Sequence, residues 1–304
     1  MRTAYLSALY ELAKKDKNVL ALISDNGAIV YDKYRRDFPE QYMNFGIAEA
    51  NMIAAAAGMA SRGKIPFAYT IGAFLAYRAM EFIRNDVCYQ RQNVKIVGTG
   101  AGCVYANLGA THHATEDISL LRALPNLTIF SPASPREVKK VVNAAYELNG
   151  PVYIRLGTNK EAELYESDYD FVVGKAVVLR DGTDVTIITT GSIAADVLQA
   201  ADRIKNKGIR AKVVNVHTLK PFDTEGIVNA ALSTGHVVTV EEHSIYGGLG
   251  SAVAEVIAES GKKVAFKRIG LTDFVDGYGS HEDVKKLNGL GVDDIVMAVE
   301  NMLT

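Results

Sequence analysis

Short, continuous apolar runs alternate with helix-period segments along the whole chain, and this alternation narrows the possible folds more than any motif does. In the first half the runs are VLALIS (19–24), KIPFAY (64–69), NVKIVGTG (93–100), LTIFSP (127–132) and PVYIRLG (151–157). Helix-period segments fall between them, at about 2–14, 47–61, 73–88, 114–122 and 135–148. Strands that are apolar along their full length are buried on both faces, the condition of a parallel sheet covered by helices. One helix start is explicit: Ser134 can cap, Pro135 suits the first turn, and Glu137 follows in that turn. After Gly157 the stretch TNKEAELYESDYDFVVG is charged, Tyr-rich and weakly periodic, and reads as a linker. Alternation then resumes with DVTIITTG, AKVVNVHT, HVVTVEEH and KVAFKRIG, followed by helices at 192–207, 223–233, 249–260 and 292–303. The expected fold class is α/β, with two parallel-sheet α/β domains. The boundaries are 1–160 for the first domain, 161–180 for the linker and 181–304 for the smaller second domain.

A chain of 304 residues accommodates two such units. Its net charge of −2 provides no field to attract nucleic acid or an anionic membrane. There is no run of about 18 apolar residues of the kind a membrane span needs. The opening MRTAYLSALYELAKK reads as an amphipathic helix, not a signal peptide. Cys88 and Cys103 form neither a disulfide framework nor a metal-ligand spacing, so a reduced, cytoplasmic setting is expected.

In open sheets of this kind, ligands sit beyond the carboxyl ends of the strands. That draws attention to Ser24–Gly27, Tyr69–Phe74 and Gly98–His113. VGTGAGC (97–103) imitates a dinucleotide turn but has Cys103 where the third glycine belongs, and no helix pattern follows. GGLGSAVAEV (247–256) reads more readily as close helix–sheet packing than as a phosphate cradle. THHATED (111–117) places two histidines in a loop; no third metal ligand lies at a useful spacing. They read either as surface or capping groups, or as imidazoles that exchange protons near neutral pH. Glu49 stands amid MNFGIAEANMIAAAAGMA (43–60). The pattern alone fits an acid favoured by its helix N-terminus, or a partly buried acid that hydrogen-bonds a ligand. Phe74 and Tyr77 lie one turn apart, which suits core packing or ligand stacking.

Taken in order, NFGIAEANMIAAAAGMA, YTIGAFLAYRAMEFIRNDV, GATHHATEDISLLRALPNLTIFSPASPREV and GPVYIRLG resemble the pyrimidine-binding domain of transketolases and the related 1-deoxyxylulose-5-phosphate synthases. VVTVEEHSIYGGLGSAVAEVI resembles their C-terminal domain. The resemblance implies a thiamine diphosphate enzyme in which Glu49 hydrogen-bonds N1′ of the aminopyrimidine and so activates the thiazolium. It implies that Phe74 stacks on the pyrimidine, with Tyr77 beside it and Asp25 near the cofactor at a strand end. His112 would contact a substrate oxygen and move a proton during C–C cleavage. His113 replaces the usual Gln next to it. Arg2 and Arg155 fall where family arginines hold the sugar phosphate, a task suited to a bidentate guanidinium.

Two departures matter. Full-length members bind Mg²⁺ and the diphosphate through a G-D-G…N motif in an earlier domain, and here RDGTD and VDGYG lack the partner Asn. The resemblance therefore implies a split enzyme. A separate N-terminal transketolase subunit would hold Mg²⁺, this chain would supply no metal ligand, and the assembly would be a heterotetramer active only when complete. In addition, Gly100 and Leu108 stand where transketolases carry a His and an acid that grip the sugar. The leading expectation is transfer of a two-carbon ketol unit from a ketose phosphate to an aldose phosphate. Alternatives are a 1-deoxyxylulose-5-phosphate synthase-like condensation, a 2-oxo acid dehydrogenase E1 β-type subunit, and a non-catalytic interaction subunit.

Overall fold

The computed structural model describes residues 1–158 and 161–304. The first unit runs α1 (Arg2–Lys15), β1 (Val19–Ile23), α2 (Asp32–Asp37), β2 (Tyr42–Asn44), α3 (Glu49–Ala60), β3 (Ile65–Ile71) and α4 (Met80–Phe82). It continues through β4 (Lys95–Thr99), α5 (Asp117–Arg122), β5 (Thr128–Phe130), α6 (Pro135–Glu147) and β6 (Val152–Leu156). The second unit contains β7 (Val177–Arg180), β8 (Val185–Thr189), α7 (Ala194–Lys205), β9 (Ala211–Asn215), β10 (Thr218–Lys220), α8 (Thr224–Thr234) and β11 (His236–Ser244). It closes with α9 (Leu249–Glu259), β12 (Ala265–Leu271), α10 (His281–Leu287) and α11 (Val292–Leu303).

The α/β expectation holds, with refinements. The seven-stranded sheet has the order β10-β5-β6-β4-β3-β1-β2, and the five-stranded sheet the order β12-β11-β8-β9-β7. All pairings are parallel except at two edges, where β10 runs antiparallel to β5 and β7 antiparallel to β9. The sheets are thus mostly parallel rather than wholly so. Moreover, β10 belongs to the second half of the sequence but completes the first sheet. β7 lies inside the expected linker. The expected domain boundary at 160 falls outside the described residues.

Burial explains the pattern. Every residue of β4, β6 and β8 is buried, as the continuous apolar runs required. In α6, Val138, Val141, Val142 and Ala145 recur at helical spacing and are buried. The expected N-cap is present: Ser134 Oγ accepts the Glu137 amide (3.4 Å), with Pro135 in the first turn. Glu137 also serves as a hub. Its carboxylate accepts from Asn215 Nδ2 (3.0 and 3.2 Å) and from the Tyr165 and Tyr169 hydroxyls (both 2.6 Å). One buried acid thereby binds the connecting segment and β9 to the first unit.

The helix expected at 73–88 is wound differently. Two π segments, Phe74–Arg78 and Ile83–Tyr89, flank the three-residue α4. Leu75, Ala79, Ile83 and Val87 are all fully buried. A stripe stepping by four residues drifts off one face of a 3.6-residue helix, and locally wider π turns keep it on the sheet.

The two units meet where β11 ends. The Ser244 amide donates to the Thr115 carbonyl (2.7 Å), and Arg122 forms a bidentate pair with Glu255 (2.7 and 2.6 Å). His243 is wholly buried there. Its Nδ1 donates to the Ser244 carbonyl (2.7 Å), so Nε2 is the acceptor for the Ser119 amide (3.4 Å), a tautomer assigned from these bonds. Asp117, Glu241 and Arg155 surround the ring. Burial first of all, with Arg155 adding to it and Asp117 opposing, holds the imidazole down at about 4.

The depressed value fixes the sign of a pH effect. The unfolded chain takes up this proton near pH 6.5 and the folded chain does not, so the stabilisation is full above that pH and fades as pH falls towards 4. The loss amounts to about 3 kcal/mol. Urea midpoints at pH 7 and pH 4.5 should therefore fall further apart for the wild type than for His243→Asn. Equal falls would remove His243 as the source.

Candidate active site

The carboxyl ends of β1 to β4 carry the residues singled out in the sequence. Beyond β1, Ser24 Oγ donates to the Gly46 carbonyl (2.7 Å) and accepts the Ala48 amide (3.1 Å). Asp25 adopts a left-handed φ of 53°, a conformation Asp tolerates better than most residues. Its amide donates to Asn44 Oδ1, and Asn44 Nδ2 donates back to its carboxylate, both at 3.1 Å. Asp25 thus holds the loop that delivers Glu49.

Glu49 opens α3 and is only 4% exposed. Its carboxylate faces Arg78 Nη1 at 3.3 and 3.4 Å. The Arg78 guanidinium in turn sits over Phe74, 4.3 Å from the ring centroid. His112 meets the same Phe74 ring edge-on at 5.0 Å. Glu49, Arg78, Phe74 and His112 therefore form one continuous group. Phe74 and Arg78, four residues apart, share one face of this helical segment.

Tyr77 stands beside this group. Its hydroxyl donates to Glu116 Oε2 (2.6 Å) and accepts the Glu116 amide (3.2 Å). Burial, and then the negative charges of Asp117 and Glu116, push its pKa far up, so it remains a neutral donor. His113 is buried, unlike its half-buried neighbour His112, and burial lowers its pKa below the usual histidine range. Tyr77, His113, Glu116 and Phe274 line a cavity of about 290 Å³.

The two arginines diverge. The Arg2 amide donates to the Thr158 carbonyl (2.7 Å), and no carboxylate among the described residues lies within ion-pair distance of its side chain. The expectation that Arg155 holds a sugar phosphate is corrected. Arg155 is 3% exposed, and its Nε pairs with Asp117 (2.9 and 3.2 Å). Its Nη2 donates to the Ala114 and Glu242 carbonyls (2.9 and 3.0 Å). A guanidinium engaged on these sides and shut away from solvent holds the two units together instead.

The GGLG turn is also resolved. The α9 N-terminal amides of Leu249 and Gly250 donate to the Glu241 carboxylate (2.6 and 2.7 Å), so the chain's own acid fills the place of a phosphate. A Cβ on Gly248 would collide with Glu241 Oε2. Burial, opposed by these two amides, pushes Glu241 up to about 7.

Sequence reasoning missed Arg78, Glu116 and Asp117. The i,i+4 spacing of Phe74 and Arg78 was a usable signal for the first. So was the arginine within an otherwise apolar strand, which required a buried acid somewhere.

Residues 1–161 match the family described as transketolase, pyrimidine binding domain, and residues 174–295 match transketolase, C-terminal domain. The chain belongs to the transketolase family. That family is thiamine diphosphate-dependent. Among its relatives is a subunit of the apulose-4-phosphate transketolase of Actinobacillus succinogenes, 40% identical over 86% of this chain and 84% of that one. Another is the 6-deoxy-6-sulfo-D-fructose transketolase subunit SqwH of Clostridium sp. (strain MSTE9), 38% identical over 99% of this chain and 94% of that one. A solved structure described as a split gene transketolase, inactive beta4 tetramer, superposes with a TM-score of 0.90 at 42% identity, covering 99% of this chain and 97% of that one.

The Asp117–Arg155 pair gives a stability test for this transketolase fold. Asp117→Ala strands a buried guanidinium and should cost about 3–5 kcal/mol in urea unfolding. The double variant with Arg155→Met should recover most of that loss. A single variant as stable as wild type would contradict the junction role.

Proposed function

We propose that this chain is the cofactor-activating half of a two-subunit transketolase that moves a two-carbon ketol unit from a ketose phosphate to an aldose phosphate. The observation that carries the reading is the Glu49–Arg78–Phe74 arrangement. A nitrogen-bearing cation sits over the Phe74 ring and turns its Nη1 to a buried carboxylate. An aminopyrimidine offers the same two features, a π face and a ring nitrogen that hydrogen-bonds an acid, so the residues fit thiamine diphosphate. When bound, the cofactor supplies the nucleophilic carbon that accepts the two-carbon unit.

In this reading Phe74 carries the ring and Glu49 holds a proton at its nitrogen. Arg78 swings aside to admit it, which its half-exposed side chain allows. His112, against the edge of Phe74, moves a proton at the substrate oxygen. Tyr77, fixed by Glu116, walls the site, and His113 lines the adjoining cavity. Asp25 sets the Glu49 loop. With Arg155 committed to Asp117, Arg2 is the arginine left for a sugar phosphate.

The diphosphate and Mg²⁺ are assigned to an N-terminal transketolase subunit carrying G-D-G…N, joined with this chain in a heterotetramer in the cytoplasm. Two findings support a partner: the relatives are named as transketolase subunits, and the related split-gene tetramer is described as inactive. Those relatives are named for different sugars, so the sugar is left at the level of a phosphorylated ketose and aldose.

The purified chain should show no ketol transfer alone and should gain it when mixed with the partner. Full activity of the isolated chain would sink the split reading. In the complex, Glu49→Gln should lower turnover about 10²–10⁴-fold. His112→Ala should lower turnover while leaving cofactor affinity nearly unchanged. Near-native rates for Glu49→Gln would remove Glu49 from its role.

A further inference from the structure

Beside this site, one cluster of ligating side chains has no part in the chemistry above. Cys103 lies in the loop after β4, Glu242 sits near the end of β11, and His281 opens α10. Their ligand atoms all lie within 4.8 Å of one another. Glu242 Oε1 accepts from the Cys103 amide (2.7 Å), from Cys103 Sγ (3.1 Å) and from His281 Nε2 (2.7 Å). Glu242 Oε2 is buried with no hydrogen-bond partner among the described residues. A carboxylate oxygen shut away from water and left unpaired is costly, and it marks a place where a donor or a cation belongs. Gly102 is shaped to this acid, since a Cβ there would stand 2.5 Å from Oε1.

We propose that Cys103, Glu242 and His281 form a binding site for a divalent cation of the zinc class, which clips the loop after β4 to the second unit. Thiolate, imidazole and carboxylate are the ligand types such a cation takes, and three protein ligands leave a fourth position for water. Glu242 Oε1 already touches both other ligand groups, so small rotations suffice to surround an ion. Cys103 and Glu242 are fully or almost fully buried, while His281 lines a cleft that also holds Ser280, Lys285 and Asp196 and gives the ion and its water an entry route. Binding expels the thiol proton and the proton shared by His281 and Glu242. Two protons leave as one dication enters, so the buried charge is unchanged when His281 starts protonated. Lys285 is the nearby cation that opposes the ion, and it is already paired with Asp196. The clip would fix the start of the loop that ends in His112 and His113.

The test uses the full chain stripped of metal with a chelator, then titrated with Co²⁺. One Co²⁺ per chain should bind with a thiolate-to-cobalt charge-transfer band, and Zn²⁺ should displace it. Cys103→Ser and His281→Ala should each lose the band, whereas His112→Ala should keep it. Circular dichroism of the metal-free variants checks that they remain folded. A wild-type chain that gives no thiolate band, or a Cys103→Ser chain that binds Co²⁺ as wild type does, would overturn the assignment.

Discussion

The ion pair of Arg155 with Asp117 is the interaction on which the rest of the molecule hangs. Arg155 projects from the middle of the first sheet, and Asp117 opens the helix that follows the histidine loop. Tyr153 donates a further 2.7 Å bond to the same carboxylate. Through Nη2 the guanidinium reaches the carbonyls of Ala114 and Glu242, one from each unit. Two charges this deep are worth little over an apolar pair of the same size, but their geometry admits a single arrangement. That arrangement sets where the 100–116 loop runs, and hence where His112 meets Phe74.

The site itself depends on two departures from regular structure. The π turns at 74–89 rotate Phe74, Tyr77 and Arg78 away from the buried stripe of Leu75, Ala79, Ile83 and Val87. The left-handed Asp25 and its Asn44 bonds turn the chain so that Glu49 begins a helix with its carboxylate inside. Local irregularity of this sort concentrates at functional positions, where the surrounding sheet is rigid enough to sustain it.

Much of this was legible in the sequence. β1, β3, β4, β6, β8 and β9 are continuous apolar runs, because a strand buried on both faces has no polar positions to spare. β2, β7 and β10 were not legible; each has only three or four residues, and the neighbouring strand, not its own composition, makes it a strand. Glu49, Phe74 and His112 stood out through family resemblance, and the structure brings them together. Arg155 misled for the opposite reason: its position matched a ligand-holding arginine, while the apolar run around it already implied burial and a partner. The Cys103–Glu242–His281 cluster is invisible along the chain because its members are 139 and 39 residues apart and meet only through packing.

The exchange of β10 carries a consequence for what counts as a domain here. The first sheet ends on β10, three residues from the second half that lie against β5. Remove everything after the connecting segment and the amides and carbonyls of β5 would be bared on one side, a template for pairing with other chains. The linker read from the charged, Tyr-rich stretch is therefore a seam in composition but not in energy. Gene fission or fusion could divide this architecture ahead of the first sheet far more easily than between its two sheets.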